Sequence, residues 1–391
     1  MKLLYVSAPC FADCDFPLIR EYQQRGYDVT YLISLRPHSL HSTLFDIKKQ
    51  IPQNEIIPAS RYSELEFYAD YINLDKVFIA NCPHKKDTSL VSLKMALKIN
   101  KFIRKENFDV IHTDCEFSFY GILNFIGYFK KTIITIHDPF PHSGEGSLRK
   151  TFFRKITLTC LKRYVLLNDK QKEQFKAVYR IDDTQILINR LGVYDCINCF
   201  KRNGKVSNKT PNVLFFGRIS PYKGVDILLK AMELVHKNLP NINVTIAGSG
   251  KMYFDITPYE QLDYVDIQNQ FISMQQLSDL LDKATVVVCP YTDATQSGVI
   301  MTAFAKCCPV IATNVGGLTE MVDDGKNGLI ISPNDPTALA EAIIKLCSDK
   351  ELVKLFKYNI KSQYFIGERS WSSIANKYFN YYTAITDYKA I

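Results

Sequence analysis

The sequence predicts an α/β protein made of two doubly wound domains. Its 391 residues exceed what one hydrophobic core ordinarily organises, so two domains are the natural division. Short β-rich apolar runs alternate with stretches of helical period from the start, the pattern of parallel sheets covered on both faces. The alternation halts at residues 202–211, a polar stretch containing Gly204 and Pro211, and then resumes. That stretch reads as a linker.

The first half opens with a strand at 3–6, a helix at 16–25 closed by Gly26, and a strand at 29–33. Strands at 77–80, 110–112, 132–137, 165–167 and 186–188 continue it, with a long helix at 90–104. Beyond the linker, strands fall at 213–216, 244–247, 265–267, 286–289, 310–313 and 329–331, with a helix at 225–236. Helices at 337–347 and 351–358 follow. Trp371, Ile374, Tyr378 and Tyr381 then recur at three- and four-residue intervals, marking one buried face of a closing helix.

Hydrophobic residues make up 47% of the chain and charged residues 23%, without low-complexity tracts, which excludes a disordered protein. No run reaches the roughly 20 apolar residues of a membrane span. The short N-terminal apolar run leads into Asp13 and Asp15 without a cleavage site and reads as a strand rather than a secretion signal. A soluble, cytoplasmic protein is expected. The eleven cysteines are scattered and odd in number; Cys196 and Cys199 form one C-x-x-C without a second pair, so free thiols of a reducing compartment fit better than disulfides or zinc. The net charge of +8 suits an anionic ligand, an acidic lipid surface or simple solubility, and does not indicate nucleic acid. Lys130, Lys131, Arg149, Lys150, Arg154, Lys155, Lys162 and Arg163 interleave with Phe152, Phe153, Ile156 and Leu161. This segment fits either peripheral contact with an anionic membrane or a solvated helix face.

Three segments of the second half carry chemistry. In Phe215-Phe216-Gly217-Arg218-Ile219-Ser220-Pro221-Tyr222-Lys223-Gly224, a buried strand ends in a turn that opens a helix. Arg218 offers a planar fork to phosphate oxygens and Lys223 a point charge beside a helix start. In Pro290-Tyr291-Thr292-Asp293-Ala294-Thr295-Gln296-Ser297-Gly298-Val299, a polar loop precedes a helix whose first turn aims the NH groups of Ser297, Gly298 and Val299 at an anion or at sugar hydroxyls. In Asn314-Val315-Gly316-Gly317-Leu318-Thr319-Glu320, paired glycines permit close backbone approach and Glu320 falls in the first turn of a short helix, where a plain capping role also accounts for it.

Taken in order, these segments resemble the C-terminal half of retaining glycosyltransferases of family 4, which have the GT-B fold: two Rossmann-like domains facing across a cleft. The likeness is close over residues 212–333. It implies an N-terminal acceptor domain at 1–200, a C-terminal nucleotide-sugar domain at 201–368, and a helix at 369–391 crossing back to the first domain. It implies further that Arg218 and Lys223 bind the donor diphosphate, that Gly217, Gly248 and Gly250 flank the nucleotide, and that Phe271 borders the base. His137, in Ile136-His137-Asp138-Pro139, resembles the family's strand-end histidine and is expected to contact the donor sugar or orient the acceptor. The donor is then a nucleotide diphosphate sugar and the acceptor a glycan or lipid-linked molecule, with no cofactor and no metal. Asp13-Cys14-Asp15 imitates a metal-binding aspartate pair, but Asp15 reads as the N-cap of the helix at 16–25.

Two departures from the family stand out. Its two glutamates, separated by seven residues, are replaced by Ala294 and Thr302, leaving Thr302 to reach the donor ribose and Asp293 or Gln296 to approach the sugar. The usual glycine-rich loop after the first strand is Ala8-Pro9-Cys10-Phe11-Ala12 here. A non-catalytic partner subunit of the same fold is a rival reading, opposed by the intact Arg218 and Lys223. A nucleotide-sugar epimerase is another, and it needs a general-base carboxylate that the sequence does not place. A capsule, exopolysaccharide or lipopolysaccharide pathway at the inner face of the plasma membrane completes the expectation.

Overall fold

The structure is a computed structural model and describes residues 1–37, 44, 47, 54–140, 148–200 and 210–387. Residues 202–209 of the predicted linker lie outside the described residues. The chain divides into two compact units, Met1–Gly192 together with Trp371–Ile391, and Val193–Ser370. The boundaries read from the sequence were 200/201 and 368/369.

The first unit runs β1 (Lys2–Ser7), α1 (Ala12–Gln24), β2 (Asp28–Leu35), β3 (Glu55–Pro58), β4 (Val77–Asn81), α2 (Leu90–Glu106), β5 (Val110–Thr113), β6 (Thr132–Ile136), α3 (Leu148–Cys160), β7 (Tyr164–Leu166), α4 (Lys172–Tyr179) and β8 (Ile186–Ile188). Its sheet has the order β3-β4-β2-β1-β5-β6-β7-β8, parallel except for β3, which pairs antiparallel with β4. Strands β1, β5 and β6 are buried almost throughout, as strands covered on both faces must be. Leu4, Val6, Ile111 and Ile134 of these strands meet Met95, Ile99 and Ile103 of α2 in one core. Ser89 caps α2 and Asn107, with φ 48°, ends it in the left-handed region. The sheet order reverses between β1 and β5, which places a crevice at their carboxyl ends.

Helix α1 starts at Ala12, four residues before the predicted start, and Asp15 is no cap. The physical reason is burial. Asp15 lies inside the helix, where its carboxylate accepts from the Tyr31 hydroxyl at 2.7 Å.

The second unit runs β9 (Asn212–Phe216), α5 (Val225–Asn238), β10 (Asn243–Gly248), α6 (Thr257–Glu260), β11 (Val265–Asn269), α7 (Met274–Lys283), β12 (Val286–Cys289), α8 (Gly298–Ala305), β13 (Val310–Thr313), α9 (Leu318–Met321), β14 (Gly328–Ile331), α10 (Pro336–Ser348) and α11 (Lys350–Lys361). Its six strands are all parallel in the order β11-β10-β9-β12-β13-β14. The order reverses between β9 and β12. Asp335 and Asp349 cap α10 and α11 through the backbone NH groups of Ala338 and Leu352.

The closing helix α12 (Trp371–Asp387) belongs to the first unit. Phe379 stacks on Tyr27 with ring centroids 4.2 Å apart, Arg25 holds the Ser372 carbonyl at 2.8 Å, and the Asn189 amide reaches the Ile374 carbonyl at 3.3 Å. Tyr382 sets its hydroxyl between His112 and Tyr22.

Candidate functional site

At the reversal point of the second sheet, β9 and β12 deliver their carboxyl-end loops side by side. After the buried β9, Gly217 takes φ 115°, a conformation that L side chains rarely adopt, and turns the chain outward. The loop continues the sheet pairing, with the Ile219 NH donating to the Ser249 carbonyl at 3.0 Å, before a short 3-10 turn over Pro221–Lys223 leads into α5.

This turn separates the two cations. Arg218 is exposed and its guanidinium donates to the Tyr222 hydroxyl at 3.0 Å. Lys223 folds inward. Its ammonium stands 3.6 Å from the centroid of the Tyr291 ring and 5.2 Å from that of Tyr222. Burial brings the Lys223 pKa down to about 8; Cys289 opposes that shift and Arg218 adds to it.

The loop after β12 is tied to the same turn by the Thr292 NH, which donates to the Tyr222 carbonyl at 2.8 Å. Ser297 occupies the N-cap of α8, yet its side chain makes no capping hydrogen bond and the first turn holds no acidic residue. Buried polar atoms gather here. Ser220 Oγ and both amide atoms of Gln296 find no protein hydrogen-bond partner, while the Tyr291 hydroxyl, Ser297 Oγ and the Cys289 thiol have only one another. Buried polar groups are ordinarily satisfied, so such a concentration marks a place built to meet something other than the protein itself.

The remaining predicted residues occupy distinct places. A Cβ on Gly248 would stand 1.8 Å from the Gly217 carbonyl oxygen, and one on Gly250 would stand 2.1 Å from that of Ile219. Loop packing alone therefore demands glycine at both. The Asn269 carboxamide engages the Gly250 NH and carbonyl, each at 3.1 Å. Val299 packs against Gly217, and Gly298 against the Tyr194 ring. Thr302 donates its hydroxyl proton to the Gly298 carbonyl at 2.8 Å within its own helix. Asp293 is half-buried, and Phe271 is 57% exposed on the loop after β11, two strands from β9.

His137 lies in the first unit, just past β6. Its ring stacks on Phe11 at 4.1 Å, and its Nε2 faces Asp114 Oδ1 at 3.7 Å. Asp114 also accepts from the Tyr5 hydroxyl at 2.8 Å. Burial pushes Asp114 upward, but His137 more than offsets it and leaves the carboxyl at about 2. Burial first, and then the Asp114 charge, drive Asp15 well above the ordinary carboxylate range. Sequence reasoning missed Phe11, Asp114, Tyr222 and Tyr291. The tyrosines were visible as neighbours of the motif residues, but only the parallel pairing of β9 with β12 puts Tyr291 beneath Lys223.

Comparison with known proteins matches this arrangement half by half. A family model for glycosyl transferases group 1 covers residues 210–349, and one for glycosyltransferase family 4 covers residues 17–193. The chain is a glycosyltransferase of the family 4 type.

An uncharacterised glycosyltransferase of Methanocaldococcus jannaschii is 28% identical over 371 residues, 91% of this chain and 95% of that protein. Among solved structures, sucrose-phosphate synthase from Thermosynechococcus elongatus superposes with a TM-score of 0.67 at 18% identity, over 99% of this glycosyltransferase and all of its counterpart (100%). Anabaena HepE in complex with UDP-glucose gives 0.65 at 15% identity, over 97% and 100% of the two chains. These likenesses establish the GT-B fold. Among the described residues of the glycosyltransferase, no helix is long and apolar enough to cross a membrane, and no three His, Cys, Asp or Glu side chains gather as a metal site requires.

Proposed function

We propose that this glycosyltransferase moves a hexosyl unit from a nucleotide diphosphate sugar to a glycan or lipid-linked acceptor, with retention at the anomeric carbon and without a metal ion. The observation that carries the reading is the meeting of Arg218, Lys223 and the uncapped start of α8 at the reversal point of the second sheet. An exposed guanidinium, an ammonium and free helix NH groups suit a diphosphate. HepE, of the same fold, is solved with UDP-glucose, which favours a donor of that class.

In the proposed reaction the acceptor hydroxyl forms a bond to the anomeric carbon as the bond from that carbon to the diphosphate oxygen breaks. The hydroxyl proton passes to a β-phosphate oxygen on the same face. Arg218 and Lys223 receive the growing negative charge of the departing diphosphate, the role that a metal plays elsewhere. His137, steadied by Phe11 and Asp114, contacts the donor sugar or orients the acceptor. Gly217, Gly248, Gly250 and Phe271 border the nucleotide, while Thr302 reaches the ribose as an acceptor and Asp293 stands near the sugar.

We assign the enzyme to cell-surface polysaccharide synthesis at the cytoplasmic face of the membrane. Helix α3 supports that placement. Leu148 and Phe152 are 92% and 60% exposed beside exposed Lys150 and Lys155, while only Thr157 and Leu158 of the helix are buried. Such a face suits anionic headgroups.

The test is turnover of a panel of nucleotide sugars by the wild type, Arg218→Ala and Lys223→Ala, with and without a chelator. Each variant should lose about ten- to a hundredfold in rate, the value of one charge-assisted hydrogen bond. The chelator should change nothing. Full activity in both variants would remove the reading.

A further inference from the structure

We infer that the acceptor of this glycosyltransferase carries an oxyanion, a phosphate or a carboxylate, and that Arg36 and Arg149 of the first unit grip it. The inference deepens the reaction proposed above and rests on it for the role of the acceptor.

The first support is the geometry of a three-residue cluster. Arg36 directly follows β2, Asp87 lies on the loop between β4 and α2, and Arg149 is the second residue of α3. Arg36 Nη1 stands 2.9 Å from Asp87 Oδ1, and Arg149 Nη2 donates to Oδ2 at 3.1 Å. Each oxygen of one carboxylate therefore meets a different guanidinium, the spacing that an incoming carboxylate or phosphate needs. The Arg36 head is also braced by the His84 carbonyl and Ser92 Oγ, each at 3.4 Å. The Arg149 side chain is 65% exposed, so its fork can turn to a ligand without uncovering a buried charge.

The second support is charge. Lys85 and Lys86 adjoin Asp87 in the chain, Lys150 adjoins Arg149, and all three are exposed. Within the segments 84–90 and 148–155, Asp87 is the one acidic side chain. Exposed ion pairs add little to stability, so the fold gains little from such an excess of cations. An anion drawn from solution gains from it directly. Arg149 is spent on Asp87 within the unit, not on the exposed face of Leu148 and Phe152.

The third support is position. The sheet order β4-β2-β1-β5-β6 brings Arg36 and Asp87 from one side of the reversal point, and Arg149 from the helix that follows β6 on its other side. The cluster thus stands across the crevice at the carboxyl ends of β1 and β5. Phe11 and His137, which follow β1 and β6, stack at the same edge. Strands β2 and β4 lie one and two spacings from β1, roughly 5 to 10 Å. The reach suits one sugar unit, its charged end on the arginines and a hydroxyl beside His137.

The experiment is calorimetric titration of the full chain, saturated with whichever of UDP, GDP or ADP it binds, with glucose, glucuronate, glucose 1-phosphate and inorganic phosphate. The nucleotide keeps the sugar phosphate out of the donor site. One of the two anionic sugars should bind about tenfold more tightly than glucose, the value of one charge-assisted hydrogen bond, and the tighter names the acid. Arg36→Gln and Arg149→Gln should each close that gap while the affinity for the nucleoside diphosphate stays unchanged, which shows that the variants are folded. Asp87→Asn should widen the gap, because a competing carboxylate is gone; a merely structural cluster predicts the reverse. The inference is overturned if neither anionic sugar outbinds glucose, or if the gap survives in both arginine variants. It is equally overturned if inorganic phosphate binds as tightly as glucose 1-phosphate, which marks a bare anion site, or if the variants lose only sedimentation with phosphatidylglycerol vesicles, which marks a membrane contact. If no diphosphate binds, or Arg218→Ala binds one as well as the wild type does, the donor reading fails by itself, and titration without nucleotide still reads the Arg36 and Arg149 variants.

Discussion

Replacing Lys223 by methionine should make the protein more stable and at the same time weaken its hold on a diphosphate. The ammonium is held between two tyrosine faces, and burial brings its pKa from the ordinary 10.5 to about 8. That difference corresponds to roughly 3 kcal/mol of destabilisation of the charged form. That cost is net of the attraction of the Tyr291 face, 3.6 Å away, and a methionine of similar length removes it. The melting temperature of Lys223→Met should therefore rise at pH 7.

The pH dependence has a definite sign. Between pH 8 and 10.5 the folded state binds fewer protons at this lysine than the unfolded chain does. Stability of the wild type therefore gains a contribution as pH rises through that window, and Lys223→Met should lack it. Diphosphate binding runs the other way. It needs the charged lysine and should weaken about tenfold between pH 7 and 9 in the wild type, with a flatter profile in the variant. Scanning calorimetry from pH 7 to 10 and titration with UDP and GDP measure both. A lower melting temperature in Lys223→Met, or an identical pH profile, would refute the reasoning.

Four further changes test the surroundings. Gly248→Ala should cost more than about 1 kcal/mol in denaturant unfolding, because its Cβ would stand 1.8 Å from the Gly217 carbonyl oxygen. Thr302→Val should leave stability within about 1 kcal/mol of wild type while weakening nucleotide binding, as titration would show, since the hydroxyl proton goes only to its own helix. Asp15→Asn should raise the melting temperature at pH 7 more than at pH 4: burial and Asp114 hold the native carboxyl well above the ordinary carboxylate range, so the wild type loses stability as pH rises through and beyond that range. Tyr382→Phe should cost about 1–2 kcal/mol by thermal unfolding, because buried His112 loses its Nδ1 partner and keeps only Thr135 at Nε2.

Much of the fold was legible because its strands are short, apolar and buried on both faces. The predicted strands at 77–80, 186–188 and 286–289 reappear within a residue of their expected ends as β4, β8 and β12. Helix α2 was read at 90–104, and the structure adds the Ser89 cap. Strand β3 escaped notice because Glu55–Pro58 is a half-buried edge of four residues, too short for a pattern. Helix α7 escaped because its polar composition masks the buried positions Met274, Leu277 and Leu281. At the candidate site, Arg218, Lys223 and Gln296 were readable from residue type and loop position. Their states were not: Arg218 is exposed, Lys223 is sunk between rings, and Gln296 is half-buried with both amide atoms buried and unmet.

The sequence by itself determined the alternation of strands and helices, the glycine- and proline-marked turns and the chemistry offered at each strand end. These depend on neighbours a few residues apart, and such relations are written along the chain. Only the tertiary structure decided that Tyr291 lies under Lys223, that Asp114 joins Asp15 and His137, and that α12 packs against Tyr27 and Arg25. Those partners are 23 to 352 positions apart in the numbering. They meet because the order of strands in each sheet reverses about its centre, and that order follows from the packing of whole helices on both faces rather than from any local run of residues.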